Sequence, residues 1–395
     1  MNLTKRPLYL KRLKKFIDRD EIKILVGIRG AGKTSLLNLF AEDLLSSGVA
    51  PTNILRLDFD APSLRTIDTP GKLYDFISGQ MSGEGKNFLL PDEVHRIPDW
   101  QKIMARLKEE FNVDIYISRS VALSEEKFFL PSIIVNVLPL SFKEFQNFIP
   151  FPDAVTLPEI FSLYLKIGGM PGVVAKFPDD FATSAETSDI FSSCLVQDVL
   201  PGNKITDFDL LMRLTKKFFE QSGTMQSFNR IAKLFEKNPP AVRTVENYFE
   251  TLRRANIFYS VPVFDLKNEL PLFRFAKYYP VDTGLQNFII GNSPVTSEIL
   301  ESIVFAELLR LGVEISCLRV GKQIVFEVRR KDLGDKMYIN VAENLDDTDK
   351  KNSPYQPLRS IRNQFAKWIV TSEENVSDSP DGIKVTNILD FLMSE

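Results

Sequence analysis

The chain has 395 residues, of which 44% are hydrophobic and 26% charged; this is an ordinary globular composition, and at about 150 residues per domain the length predicts two or three domains. The net charge of −3 provides no overall attraction to nucleic acid or to acidic membranes. Because His95 is the only histidine, a histidine-based metal site and a Ser-His-Asp triad are almost excluded.

The cysteines and the start of the chain indicate the compartment. Cys194 and Cys317 lie far apart and form no metal-ligand or redox spacing, which favours a reducing compartment. The opening stretch MNLTKRPLYLKRLKKF is too charged for a signal peptide, and no apolar run approaches the roughly 18 residues of a membrane helix. We therefore predict a cytoplasmic protein that does not bind membranes.

Strands and helices alternate over the first 140 residues. A short helix (YLKRLKKFID) leads into an apolar strand (EIKILVGI), a glycine-rich turn and a helix with leucines at helical spacing. Further strands are predicted at NILRLDFD, KNFLLPDE, VDIYISRS and SIIVNVLPL. Helices are predicted at KLYDFISGQM and DWQKIMARLKEEF, between the first three of these strands. This alternation predicts a parallel sheet that is covered on both faces.

The rest of the chain has a different pattern. It is helical to about Pro201, interrupted by IGGMPGVV, and residues 208–260 predict three more helices. The stretch IFYSVPVFDLKNELPLFRF after them predicts a two-stranded wing, and the last hundred residues mix helices and strands.

The turn after the first strand, GIRGAGKT, matches the phosphate-loop pattern G-x-x-x-x-G-K-[ST]. The backbone N–H groups of such a loop wrap phosphates, its lysine reaches the β- and γ-phosphates, and its Thr hydroxyl coordinates Mg²⁺. The strand before it and the helix after it are the context that the motif requires. We predict a nucleotide-binding segment that consists of Gly27, Ile28, Arg29, Gly30, Ala31, Gly32, Lys33, Thr34 and Ser35.

An acidic pair ends the third predicted strand. Asp92 is the candidate for holding Mg²⁺ together with Thr34, and Glu93 is the candidate for activating water. Pro91 precedes them, and since proline cannot donate to a sheet ladder, we expect it to end the pairing of this strand.

An ordered set of stretches runs through nearly the whole chain. It begins with ILVGIRGAGKTSLL, RLDFDAP, FLLPDEVHRIPDWQKIMARL, DIYISRS, LPLSFKEF and YLKIGGMPGVV. It continues with TVENYFETLRRANIFYSV, FAKYYPVDTGLQNFIIG, LESIVFAELLRLG and FAKWIVTSEE. In these stretches, and most specifically in PLSFKEF with GGMPG, the chain resembles a family of bacterial and archaeal AAA-like ATPases.

The resemblance implies an α/β fold, in which a P-loop NTPase parallel sheet is joined to a helical lid, a winged helix and a C-terminal α/β nuclease-like domain. It also implies that the nucleotide is ATP. The sequence contains no base-reading motif, so the choice of adenine over guanine rests on the resemblance alone. The domain bounds expected from it are 1–150 for the ATPase core, 151–204 for the lid, 205–275 for the winged helix and 276–395 for a degenerate restriction-endonuclease-like domain.

The chain departs from this family at the sensor strand. Where the family has Thr-Gly-Ser, this chain has Ser118, Arg119 and Ser120, and either serine is a candidate for sensing the γ-phosphate. The Gly-Arg that usually precedes PLSF is missing, and Lys127 is the cation in that segment. An arginine finger contributes about 10³–10⁵ in rate, so its loss predicts binding with slow hydrolysis. Our hypothesis is that Arg119 or a protein partner supplies the missing charge.

The predicted winged helix is basic. Residues 211–260 contain nine Lys or Arg and four Asp or Glu, which suits contacts to the phosphates of double-stranded DNA. The second helix also carries Glu246 and Glu250, which disfavour such contacts, so packing against the ATPase domain or an unknown protein partner is the alternative. The small core expected for this region consists of Ile231, Leu234, Val242, Val245 and Leu252.

The C-terminal region lacks a convincing nuclease metal site. Glu301 lies on the preceding helix, but Glu327 is followed by Arg329, a cation where a ligand is needed. The next strand offers Asn340 and Glu343. We therefore interpret this region as a scaffold.

Taken together, the residues favour an ATP-binding molecular switch with slow or partner-activated, Mg²⁺-dependent hydrolysis. The competing prediction is a DNA-binding winged-helix regulator in which ATP is structural. A protein-interaction scaffold is the third.

Overall fold

The structure is a computed structural model, and it divides into two compact units, Met1–Val137 and Leu138–Glu395. In the ranges that it describes, no helix is both long enough and apolar enough to cross a membrane. Cys194 and Cys317, both within the described ranges, are buried and are not joined in a disulfide. The described residues are 5–122, 130–203, 205–236, 238–267, 270–272, 277–291, 294–330, 334–345, 353–379 and 381–394.

The N-terminal unit is built on one parallel sheet. Its elements are α1 (Pro7–Lys15), β1 (Ile22–Val26), α2 (Lys33–Ser46), β2 (Ile54–Asp58), α3 (Pro70–Ser78), β3 (Asn87–Asp92), α4 (Trp100–Glu110), β4 (Val113–Arg119) and β5 (Ser132–Asn136). The strand order is β2-β3-β4-β1-β5, and all four pairs are parallel. The predicted parallel α/β sheet is confirmed.

Helices cover both faces of this sheet. On one face Ile115 of β4 packs in a cluster with Leu73 of α3 and Met104 of α4. On the other face the next residue of β4, Tyr116, packs against Phe40 of α2 with ring centroids 4.6 Å apart. Because successive side chains of a strand point to opposite faces, a run of buried residues such as β4 needs a helical layer on each side.

Pro91 lies inside β3 rather than at its end. It is aligned with Leu57 of β2, and β3 continues to Asp92, which is aligned with Ser118 of β4. The register with β4 is interrupted around Pro91 because proline has no N–H, but the next residue on that side, Glu93, donates to the carbonyl of Ser118 over 2.9 Å. The expectation that Pro91 ends the pairing is therefore wrong.

The C-terminal unit combines helices with two sheets. Its elements, in chain order, are α5 (Phe142–Phe148), α6 (Leu157–Ile167), α7 (Pro171–Val174), α8 (Asp180–Cys194), α9 (Phe208–Glu220), α10 (Phe228–Lys233), α11 (Val242–Arg254), β6 (Phe258–Val261), β7 (Val263–Asp265), β8 (Lys277–Pro280), α12 (Thr283–Ile290), α13 (Ser297–Leu311), β9 (Glu314–Val320), β10 (Gln323–Arg330), β11 (Asp335–Ala342), α14 (Gln356–Ser360), β12 (Ala366–Thr371), β13 (Lys384–Asn387) and α15 (Ile388–Met393). Six of the strands form a mixed sheet in the order β13-β12-β11-β10-β9-β7, and β6 pairs with β8 in a second sheet. The helical pattern expected up to about Pro201 is present as α5 to α8.

Two glycines in GGMPG allow α6 and α12 to meet closely. Gly168 ends α6 at φ 76°, and a Cβ there would lie 2.2 Å from Oδ1 of Asp282. Asp282 caps α12 by accepting from the amide of Leu285, and it also accepts from the amide of Gly169 over 2.7 Å. Gly169 O accepts from the amide of Leu140, so the stretches PLSF, GGMPG and VDTGL form one junction.

The helices of the predicted winged-helix region are present as α9, α10 and α11, but the expected small core is partly wrong. Ile231, Val245 and Leu252 are fully buried. Leu234 and Val242 are 40% and 41% exposed. Leu234 directly follows α10 and Val242 is the first residue of α11, so each lies at an end of its helix, where the neighbouring helices cover it least.

The wing also differs from the prediction. β6 pairs antiparallel with β8, in register from Phe258 opposite Pro280, while β7 joins the six-stranded sheet beside β9. Pro262 separates β6 from β7, and its carbonyl accepts from the amide of Cys317 in β9. This bond lies at the point where β7 begins to pair with β9 in the six-stranded sheet.

Within the described part of the same stretch, Phe264 of β7 lies opposite Pro271 in an antiparallel bridge, and the amide of Leu272 donates to the carbonyl of Val263 over 2.8 Å. The predicted two-stranded pairing is therefore present between β7 and residues 270–272, whereas β6 pairs outside it. The winged helix itself stays a prediction.

Glu301 and Glu327, the two candidate nuclease carboxylates, lie on opposite faces of the six-stranded sheet. Glu301 of α13 pairs with Lys277 at 2.7 Å and hydrogen-bonds Tyr279, whose ring lies 5.7 Å from Phe326. Glu327 follows Phe326 along β10, so its side chain points to the other face. The possibility that Glu301 serves a metal site together with Glu327 is ruled out by this geometry.

The remaining candidates in this sheet are occupied by other contacts. Glu327 forms ion pairs with Arg329 and Lys336 at 2.6 Å each. Asn340 donates to the carbonyl of Pro354 over 2.7 Å. The amide of Glu343 donates to Ser297 Oγ. Within the described ranges these groups are engaged in contacts inside the protein, and the scaffold role stays a prediction.

Candidate functional site

The phosphate loop connects β1 to α2 in a strained conformation that needs glycine. Gly30 and Gly32 have φ of 84° and 91°, in the left-handed region. A Cβ on Gly27 would lie 2.0 Å from the carbonyl oxygen of Val137, so the backbone just after β5 passes directly over the start of the loop. The match to the motif is thus explained by backbone geometry as well as by chemistry.

The loop presents donors at the amino end of α2. In the part of the chain that the structure describes, the amides of Gly30, Gly32, Lys33 and Thr34 donate no hydrogen bond within the protein. Lys33 is 5% exposed, and its Nζ donates to the carbonyls of Gly27 and Ile28 over 2.8 and 3.1 Å. Free amides with a buried lysine beside them form a cradle for anionic phosphates.

Asp92 is a buried carboxylate that is held by hydroxyl groups. It accepts hydrogen bonds from Thr34 of α2 and Ser118 of β4, and in the described structure it forms no ion pair with Lys or Arg. A cavity of about 320 Å³ opens beside Thr34 and Asp92 and is also lined by Asn38 and Asp58. These oxygen donors and this space suit Mg²⁺, which keeps several of its waters when a protein binds it.

Glu93 is buried next to Asp92 in a left-handed backbone conformation, with φ of 56°. One carboxylate oxygen accepts from both the amide and the hydroxyl of Ser120, each over 3.1 Å, and the other lies 4.0 Å from Lys33 Nζ. Burial raises the pKa of Glu93, the charge of Lys33 opposes that shift, and Asp92 adds to it. Glu93 is therefore restrained by its neighbours within the edge of the sheet.

His95 adds a neutral ring to this group. Its Nδ1 lies 3.2 Å from Glu93 Oε2. Burial, followed by the charges of Arg119 and Arg96, lowers the pKa of His95 to about 3, so the ring is uncharged at pH 7.

Arg119, the candidate for the missing cation, is a buried residue at the end of β4. It is 8% exposed, and its carbonyl accepts from the amide of Gly27 over 3.4 Å. Its charge acts on His95, as the lowered pKa shows. Lys127, the other cation considered, lies outside the described residues.

Sequence reasoning missed two charged residues around the loop. Arg6 is 4% exposed and donates to the carbonyl of Ala31 over 3.0 Å, although 25 residues separate the two. Asp60 forms ion pairs with both Arg29 and Arg96. No local signal identifies Arg6, but Asp60 closely follows β2, and the carboxyl ends of parallel strands are where ligand sites form.

The chain matches two family models and several known proteins. Residues 19–146 match the model of the AAA domain, and residues 158–296 match Domain of unknown function (DUF8612). An uncharacterized protein of Haemophilus influenzae is 31% identical over 400 residues, which cover 98% of this chain and 97% of that protein. An uncharacterized protein of Methanocaldococcus jannaschii is 24% identical over 353 residues, 84% of this chain and 77% of that protein. A solved structure of a Walker-type ATPase from Pyrococcus abyssi has a TM-score of 0.49 at 12% identity, over 72% of this chain and 95% of that chain.

The AAA match contains the phosphate loop, the acidic pair and the sensor strand. The predicted AAA-like P-loop NTPase fold is thereby confirmed. The winged helix, the nuclease-like domain, the four domain bounds and the roles of individual site residues stay predictions.

Proposed function

This chain belongs to the same family as the Haemophilus influenzae protein, and on that premise we propose that it is a molecular switch that binds ATP and hydrolyses it slowly or on contact with a partner. The observation that carries the proposal is Asp92, a buried carboxylate whose partners are the hydroxyls of Thr34 and Ser118. Hydroxyl and carboxylate oxygens at the end of a phosphate loop are the groups that hold Mg²⁺ beside a bound triphosphate.

Each residue of the site has a distinct task in this proposal. The loop amides of Gly30, Gly32, Lys33 and Thr34, which donate no bond within the described protein, bind the phosphates. Lys33 exchanges its two carbonyl contacts for phosphate oxygens. Thr34 and Asp92 would hold Mg²⁺, which supplies charge neutralisation when bound. Ser118 is placed beside Asp92, where it reports on occupation of the site.

The slow character follows from the contacts of Glu93. To orient a water molecule, this carboxylate has to leave the amide and hydroxyl of Ser120, two hydrogen bonds that hold it within the sheet edge. A partner that draws Ser120 or His95 away would release Glu93. The same contacts therefore support binding without rapid turnover.

The test is phosphate release from Mg-ATP by the purified full chain, with bound nucleotide quantified in the same samples, beside Lys33→Ala and Glu93→Gln. We expect tight ATP binding that Lys33→Ala loses and Glu93→Gln retains, with slow release that both abolish. Absence of nucleotide binding in the natural protein would overturn the proposal.

Binding of double-stranded DNA is a second candidate, favoured by the surface of α9, α10 and α11. Five cations are exposed there, namely Arg213, Lys216, Arg230, Lys233 and Arg243. A duplex affinity that falls steeply with salt and ignores nucleotide would support this candidate, since phosphate contacts release counterions. A duplex affinity that changes on ATP hydrolysis would instead link this surface to the switch.

A further inference from the structure

Arg29 stands inside the phosphate loop, and its guanidinium is held by residues that follow two other strands. Nη1 pairs with Oδ2 of Asp60, just beyond β2, at 2.8 Å. Nη2 lies 3.4 Å from Oγ of Ser120, just beyond β4. The side chain is 17% exposed, so it is partly accessible while it is held.

Asp60 does not depend on Arg29 for its charge balance. Its other oxygen, Oδ1, pairs with Arg96 at 2.7 Å. Removing the only cation beside a partly buried carboxylate costs free energy, whereas removing one of two cations leaves the carboxylate paired. Arg29 is thus able to leave Asp60 without stranding it.

The position of Arg29 places a positive charge at the reactive end of the site. Ser120, which Arg29 contacts, is the residue that holds Glu93. Arg119, by comparison, is buried at the end of β4, where its charge acts on His95.

We propose that Arg29 is the cation that recognises the terminal phosphate of ATP, and that nucleotide binding transfers it from Asp60 to that phosphate. The inference rests on the proposed function, since it needs ATP in the cradle. It replaces Arg119 as the source of the charge that the shortened segment before PLSF lacks. Arg29 acts in cis, from within the loop itself.

The experiment compares the affinities of the full chain for Mg-ATP and Mg-ADP. We expect Arg29→Ala to weaken ATP binding about 10-fold and ADP binding less than about 2-fold, because it removes a charge-assisted contact to one phosphate. Asp60→Asn should tighten ATP binding about 3-fold and leave ADP unchanged, since Arg29 no longer has to be withdrawn from a carboxylate. Arg106→Ala, on an exposed arginine of α4 that pairs with Glu110, is the matched control and should change neither affinity.

An Arg29→Ala protein that keeps the natural ratio of ATP to ADP affinity overturns the inference. If this variant fails to fold, as judged by circular dichroism, Asp60→Asn decides: a natural ratio overturns the inference and a raised ratio supports it. If the natural protein binds neither nucleotide, the proposed function fails and the inference fails with it. If it binds both and the variants leave the ratio unchanged, the inference alone fails.

Discussion

Two groups of buried charge, one in each unit, are organised in opposite ways. In the C-terminal unit Glu301 and Lys277 form a close pair at 2.7 Å between α13 and β8. At the edge of the five-stranded sheet, Asp92 is bonded to hydroxyls, while Lys33 contacts backbone carbonyls and lies 4.0 Å from Glu93. A tight pair satisfies its own charges, whereas separated acids and cations on converging strand ends keep their charges available to a ligand. A buried charged side chain therefore indicates a ligand site only when it is not already neutralised by a close partner of opposite charge.

The largest expected effect tests the closed pair. Lys277→Met leaves Glu301, whose side chain is only 12% exposed, without its cation, and we expect a loss of about 3–5 kcal/mol in the free energy of unfolding at pH 8. The loss should shrink at pH 5, because burial already raises the pKa of Glu301 and the group can protonate. Urea unfolding measures both values. The double variant Lys277→Met with Glu301→Gln should recover most of this loss in the free energy of unfolding. If it does not, the loss comes from altered packing and not from the unpaired charge.

The open group should respond in binding instead of stability. We expect Lys33→Ala to weaken Mg-ATP binding at least about 100-fold, which is about 2.7 kcal/mol, because it removes the charge that faces the phosphates. Its unfolding midpoint in urea should change little, since Lys33 contacts backbone carbonyls rather than a close carboxylate. Lys14→Ala, on an exposed lysine of α1 that pairs with Asp43, is the control for equilibrium nucleotide titration. Equal losses in both variants would contradict the distinction between the two groups.

A third buried charge, Asp282, adds a pH dependence to the C-terminal unit. Burial raises the pKa of Asp282 to about 6, although its backbone hydrogen bonds oppose the shift. Between its unfolded pKa near 3.8 and about 6, the folded state binds more protons, so stability falls as the pH rises through this window, by up to about 3 kcal/mol. Asp282→Asn does not titrate. Its deficit in urea stability relative to the natural chain should therefore be larger at pH 4.5 than at pH 7.5, and a deficit that does not vary with pH would refute this origin.

The smallest expected effect concerns Arg6, whose side chain donates to a backbone carbonyl of the phosphate loop. Arg6→Ala removes the bond to the carbonyl of Ala31 and the contact of the guanidinium with the ring of Tyr9, 4.5 Å from its centroid. We expect a loss of about 1–2 kcal/mol in stability and an ATP affinity about 5-fold lower, because the loop is less well positioned. Thermal unfolding and nucleotide titration measure the two. Lys11→Ala on the exposed face of α1 should leave both unchanged.

The sequence predicted the N-terminal sheet well because its signals are local. Apolar strands, the glycine-rich turn and acids at strand ends each lie within a few residues, and the structure places Lys33, Thr34, Asp92, Glu93, Ser118 and Ser120 together at one edge. Arg6 could not be found in this way, since its partner lies 25 residues away in the chain. The position of Asp60 just after β2 is a local signal, but its partner Arg29, 31 residues away, is not indicated by any pattern. Long-range contacts of charged side chains have no periodicity to reveal them.

The wing shows the same limit in the fold. The sequence predicts one two-stranded wing over residues 257–275. In the structure β7 does pair with residues 270–272, but β6 joins β8 in another sheet. Propensity identifies a strand but not its partner, which depends on the surfaces that the rest of the chain provides. The choice is made by β8 and β9, which lie farther along the chain.

Pro91 determines where the N-terminal sheet is easiest to deform. The ladder between β3 and β4 is interrupted just before Asp92, while the bond from Glu93 to Ser118 closes it again. A strand pair opens most cheaply where a bond is already absent, so small displacements of the two acids need not spread along β3. Because of this proline, we expect the carboxyl end of β3 to be displaced more easily than the buried middle of the sheet.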